Sequence, residues 1–148
     1  MIETADHIAE FQFRVHQEID IAAPRADVFE AIFEEITTGI RDANGGSMNL
    51  RIERWPGGRW YRDLGKDIGH FWGHVQVIKP PVVLEICGPM MMSYPVAGHI
   101  AYRLTETPTG TRLTLTHRAF GEIDPAHREG VNHGWDVIMK AIKARAEG

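Results

Sequence analysis

Few residues in this chain carry reactive side chains, and their spacing narrows the chemistry open to them. Eight histidines raise the question of a metal. His70 and His74 are four apart, but a strand separates them by about 13 Å, too far to hold one ion by themselves. Glu129 and His133 are also four apart, on a stretch that reads as helix, and face together. One carboxylate and one imidazole fall short of the three or four ligands of a zinc site, so a surface ion pair is the expected role. Cys87 is the only cysteine. It allows no intrachain disulfide and no paired-cysteine zinc site, and its strand register points it outward with no histidine fixed beside it in sequence. Gly57-Gly58 is a turn without a following helix, so it is no phosphate loop. No metal and no cofactor are expected.

The remaining candidates point to a pocket. His117 and Tyr102 are polar residues on otherwise apolar strand faces. An inward imidazole can orient a ligand or act as acid or base near neutral pH. A buried histidine satisfied by a backbone carbonyl or by Tyr102 explains the position equally well. Met90-Met91-Met92 follows Gly88-Pro89. Its flexible thioethers suit either the mouth of a binding pocket or the gap beneath a loop. The segment from Trp55 to Arg62 is dense in aromatics and arginine, a composition enriched at interfaces. It supports a homodimer, or else its rings pack over a helix.

These residues must be positioned by strands and two helices. Residues 11–21 alternate: Phe11, Phe13, Val15, Ile19 and Ile21 fall on odd positions, with Gln17 as the exception. That is a half-buried strand. Pro24 opens a helix whose apolar stripe is Val28, Phe29, Ile32, Phe33 and Ile36, with Gly39 as a stop. Strands follow at 48–52, 59–64, 69–78, 82–87, 96–106 and 111–120, separated by Gly- and Pro-rich turns. From Pro125 to Glu147 a long helix carries Val131, Trp135, Ile138 and Ile142 on one face. Two helices are too few for a parallel sheet with crossovers. The fold class is α+β: a curved antiparallel sheet of about seven strands around a long C-terminal helix, in one domain over residues 1–148.

Period-two alternation assigns the inward face. Ile100, Tyr102 and Leu104 point in on one strand, and Leu113, Leu115, His117 and Ala119 on its partner. On the central strand Phe71, Val75 and Val77 are the apolar set, which leaves His70, Trp72, His74 and Gln76 outside. The expected pocket residues are Phe71, Met92, Tyr102, Leu115, His117, Trp135 and Met139, with Leu50 and Ile52 on another wall. A mostly apolar cavity with a few polar groups is the usual make-up of a small-molecule site.

Composition excludes other classes. A net charge of -4 without a basic cluster argues against nucleic acid as a partner. No apolar stretch approaches the ~20 residues of a membrane span. The first residues carry acids where a signal peptide needs bases. With a single cysteine, the expectation is a cytoplasmic protein.

The order of these pieces resembles the helix-grip superfamily of START lipid-transfer domains, polyketide cyclases and the birch pollen allergen, the SRPBCC group. Within it the chain resembles the branch named for the activator of heat-shock-protein ATPase. Ile19-Asp20-Ile21-Ala22-Ala23-Pro24 before Val28-Phe29 matches the strand-to-helix opening. Gly73–Ile78 before Pro80-Pro81 matches the central strand and turn. Thr105-Glu106 with Gly110–His117 matches the last hairpin, and Gly134-Trp135 the C-terminal helix. The resemblance implies a small hydrophobic ligand held between sheet and helix. As alternatives it implies a cyclase, dehydratase or hydrolase-type enzyme in the same cavity, or a co-chaperone-like interaction module in stress response. The resemblance implies a further N-terminal domain in the eukaryotic activators; here a lone domain is expected, so chaperone contact is the least expected of the three.

Overall fold

The computed structural model describes residues 10–148. The N-terminal residues read above for a signal peptide lie outside them. Seven strands form one antiparallel sheet: β1 (Gln12–Ile21), β2 (Leu50–Ile52), β3 (Arg59–Asp63), β4 (Gly69–Lys79), β5 (Val83–Cys87), β6 (Val96–Thr107) and β7 (Gly110–Gly121), in the spatial order β1-β7-β6-β5-β4-β3-β2. Helix α1 (Arg25–Glu34) follows β1, and α2 (Pro125–Glu147) closes the chain. The curved α+β sheet with a C-terminal helix is the expected helix-grip architecture.

Local chemistry sets each boundary. Pro24 caps α1 in extended conformation, where its missing N–H costs nothing. The Asp124 side chain accepts the Ala126 N–H at 2.8 Å, and Pro125 occupies the first helical position of α2. After α1 the chain widens into a π-helical turn, Glu35–Gly39. Glu35 is buried there, and a Cβ on Gly39 would come within 2.3 Å of its carboxylate oxygen. Gly39 therefore does more than end a helix: it leaves the space that this carboxylate occupies. Arg145 of α2 donates to Glu35 Oε1 at 2.9 Å and ties the two helical segments together.

The inner faces of β6 and β7 follow strict alternation. Ile100, Tyr102 and Leu104 are buried opposite His117, Leu115 and Leu113. Strand β4 does not. Against β3, Gly73 pairs with Trp60 and Phe71 with Tyr61, so Trp72 is an extra residue. Such a bulge breaks the period of two. Trp72 turns inward at 3% exposure and Phe71 stands out at 44%, the reverse of the sequence expectation. A second slip, at Gln76 against β5, moves the inward position from Val77 to Ile78, which packs on the core.

Helix α2 buries Val131, Trp135, Met139 and Ile142. It also runs beside β1, which is an edge of the sheet. Gln17, the exception in the β1 pattern, donates through its side chain to Asn132 of α2 at 2.8 Å. Arg128 donates to the Glu10 carbonyl, Lys143 to the Asp20 carbonyl at 2.7 Å, and the Ala22 N–H donates to Glu147 at 2.8 Å. The helix thus occupies backbone groups at both ends of that edge.

Candidate functional site

A cavity of about 280 Å3 remains between α2, the sheet and the loop before β6. Trp60, Trp72, Ile100 and His117 supply the sheet wall; Ile36 and Ile40 come from the π-helical turn and the residue after it; Val131, Trp135 and Ile138 come from α2; and Met90, Met91 and Met92 close one side. Wider depressions exist, such as one of about 790 Å3 over β1, β7 and β6 that includes Arg14 and Arg118. They are more open and carry charged side chains, whereas the α2 cavity is more enclosed and has no charged residue on its wall.

Each wall has a local cause. The Trp60 indole N–H donates to the Ile36 carbonyl at 2.9 Å, joining β3 to the π-helical turn. Trp60 and Trp72 meet edge to face at 5.0 Å, an arrangement the β4 bulge makes possible. Met90 holds a left-handed backbone, φ 60°, and donates its N–H to the Trp72 carbonyl at 2.8 Å. A methionine in that region is strained, and here it directs the thioether inward. Met91 is 52% exposed and stands at the rim. Gly130 and Gly134, one helical turn apart, face the cavity from α2, and a Cβ on either would touch nothing within 4 Å. Two glycines inside a helix cost about 1 kcal/mol each relative to alanine. Packing does not demand them, and they keep the helix wall thin at that point.

His117 is the polar centre. Its Nδ1 accepts the Trp135 indole N–H at 2.9 Å, which places the proton of the neutral ring on Nε2. That Nε2 is buried and has no hydrogen-bond partner among the described residues. Burial lowers its pKa to about 4, with His127 and His99 acting in the same direction. The Phe13 ring meets it edge-on at 4.9 Å. His127, in the first turn of α2, is a second imidazole on the wall; its Nδ1 shares a 2.7 Å hydrogen bond with the Tyr94 hydroxyl, and burial lowers its pKa too. Sequence reasoning missed His127, although it stands four residues before Val131 on the buried stripe of α2.

Of the expected pocket residues, Met92, His117 and Trp135 line this cavity. Leu50, Tyr102, Leu115 and Met139 are buried in the core without reaching it, and Ile52 packs against that core from a half-buried position. Phe71 is on the outer face. The Tyr102 hydroxyl is buried without a partner among the described residues, and burial raises its pKa. The Tyr102 ring lies 6.1 Å from that of Trp135. No titratable group bonds to either His117 or Tyr102 among the described residues, so an acid–base pair is not assembled around them. The Trp55–Arg62 segment divides: Trp60 goes inside, while Trp55 is 57% exposed and Arg59 stacks over Tyr61 at 4.6 Å. Glu129 and His133 are both exposed on α2, and no ion pair joins them in this structure. No group of three or more metal-ligating side chains occurs among the described residues.

Comparison with known proteins agrees with this architecture. The family described as Activator of Hsp90 ATPase homolog 1-like protein matches residues 22–147. No curated protein matches the chain. A solved structure from Mesorhizobium loti is 20% identical, covers 90% of this chain and 96% of its own, and superposes with a TM-score of 0.65. An uncharacterised protein from Rhizobium leguminosarum is 16% identical over 92% of this chain and 95% of its own, with a TM-score of 0.70. The two-domain ARO/CYC protein StfQ of the steffimycin biosynthetic pathway is 14% identical, with a TM-score of 0.65; the match covers 96% of this chain and 53% of StfQ. At these identities the likeness is one of fold. No helix among the described residues is long and apolar enough to cross a membrane.

Proposed function

This chain belongs to the family of Activator of Hsp90 ATPase homolog 1-like proteins, and from that premise we propose that it binds a small hydrophobic molecule in the cavity beneath α2. The observation that carries the reading is an uncharged, aromatic- and thioether-lined hollow of about 280 Å3 that the core leaves unfilled. A cavity of ~150 Å3 accommodates benzene, so this one suits a compact molecule of about two fused rings. Such a guest buries ~250 Å2. At ~25 cal/mol per Å2 that is about 6 kcal/mol, or a Kd on the order of 50 µM.

Flexible Met91 and Met92 admit the guest, and the paired glycines of α2 give it room. Trp60, Trp72 and Trp135 report its arrival. A cytoplasmic setting belongs to the same reading, with the single cysteine in its favour. Catalysis is the weaker use of the site, because His117 is bonded to an indole rather than to a carboxylate. Calorimetric titration with naphthalene tests the proposal. Saturable one-to-one binding, accompanied by a change in tryptophan fluorescence, is the expected result. Absence of heat and of fluorescence change up to the solubility limit of naphthalene overturns it.

A further inference from the structure

We propose that the outer face of the sheet carries a second site, for aryl phosphate monoesters, in which Arg14 and Arg118 take the phosphate and Phe120 the ring. It lies on the side of β1, β7 and β6 turned away from α2, and it does not depend on the cavity reading above.

Strand register builds the site in rows. Arg14 of β1 stands opposite Arg118 of β7, which stands opposite His99 of β6. In the next row Gln12, Phe120 and Ala97 face one another in the same way. Both rows line the wide depression over these strands. Pairing without a slip fixes their side. Val15, His117 and Ala119 are buried, so their neighbours Arg14, Arg118 and Phe120 point outward and are exposed.

The first row carries charge without an answer. Directly opposed residues bring their Cβ atoms to about 5 Å, and like charges so placed repel. Among the described residues no hydrogen bond or ion pair engages either guanidinium. Three acids of this face are held by other cations. Glu85 lies 2.9 Å from His99 and 3.5 Å from Arg103, Asp20 lies 2.9 Å from Arg112, and Glu18 lies 3.7 Å from His16. An anion between Arg14 and Arg118 removes their repulsion. A phosphate has oxygens enough to accept from both guanidinium forks. The second row is apolar at its centre. Phe120 is 61% exposed, and the short Ala97 opposite leaves its ring uncovered. Successive rows on one face are about 7 Å apart, a span that an aryl ester bridges. Its ring then meets Phe120 while its phosphate stays between the arginines.

Titration of 15N-labelled protein with phenyl phosphate at pH 7.5, where the ester is mostly a dianion, tests the site. The Nε–H resonances of Arg14 and Arg118 are expected to shift together and to saturate, while that of Arg54, bonded to Glu30, stays in place. Inorganic phosphate should move the same two resonances with about fivefold weaker affinity, the worth of one aromatic contact. Arg14→Gln and Arg118→Gln should each weaken phenyl phosphate about fivefold, as expected for an exposed charge pair. Phe120→Ser should bring the ester down to the affinity of inorganic phosphate. Unmoved arginine resonances in the wild-type protein overturn the proposal and need no variant that folds. So does either arginine variant binding the ester as tightly as the parent, and so does inorganic phosphate matching the ester. Naphthalene should leave phenyl phosphate in place; displacement would put the ester beneath α2 and remove this site while leaving the cavity reading intact.

Discussion

His117 is where burial, tautomer and pH meet. Its folded pKa is lowered to about 4 from 6.5. Between those values the unfolded chain binds the proton and the folded chain does not, so stability falls as pH falls through that window and is flat above it. At 1.36 kcal/mol per unit the total is on the order of 3 kcal/mol. Urea midpoints should hold between pH 7.5 and about 6.5 and fall from there to pH 4.5, and His117→Leu should lose most of that slope; a variant as acid-sensitive as the parent contradicts the assignment. His127 acts in the same direction and keeps part of the slope. The inward position of His117 was legible from alternation with Leu113 and Leu115, since β7 pairs without a slip on both sides. Its bond to Trp135 was not, because the two are 18 residues apart and join only when α2 docks. Tyr102 shows the converse limit. Its strand face was legible, but which inner-face residues remain uncovered depends on sheet curvature, and that places Tyr102 in the core.

At the level of elements, the β4 bulge decides which aromatic belongs to the interior. Trp72→Ala removes a buried indole and should cost about 3–5 kcal/mol, whereas Phe71→Ala, at a half-exposed position, should cost under ~1 kcal/mol. Chemical denaturation of the two variants separates them, and similar losses would mean the strand is not bulged. Alternation read the other way because register against β3 is a property of the pair, invisible in β4 alone. The π-helical turn escaped for a related reason: its apolar spacing continues that of α1, and only the buried Glu35 and its room over Gly39 distinguish it. Arg145→Ala leaves that carboxylate without its cation. Breaking a buried pair costs more than an exposed one, but Arg145 is partly solvated, so the expected loss is about 2 kcal/mol. Adding Glu35→Gln should restore most of it, as a double-mutant cycle would show.

For the molecule as a whole, seven strands, two helices and their order were legible because Gly and Pro mark nearly every turn and each long element keeps its own period. The hollow was legible only as a possibility. Gly130 and Gly134 line it from α2 without filling it. Gly134→Ala should raise stability by about 0.5–1 kcal/mol, measured by thermal unfolding. Gly134→Leu should instead weaken naphthalene binding several-fold by occupying the space, and unchanged affinity would place the guest elsewhere. A ligand at one hundred times its Kd adds about 2.7 kcal/mol to wild-type stability, a rise in Tm of roughly 5–10 °C for a chain of this size. The grip of α2 on β1 has a separate consequence. A ten-residue strand at the margin of a sheet is a template on which other chains can polymerise. Arg128, Lys143 and Glu147 occupy the terminal carbonyls and amide of that template, so loosening of α2 from β1 would turn a protected margin into a seed for fibrils.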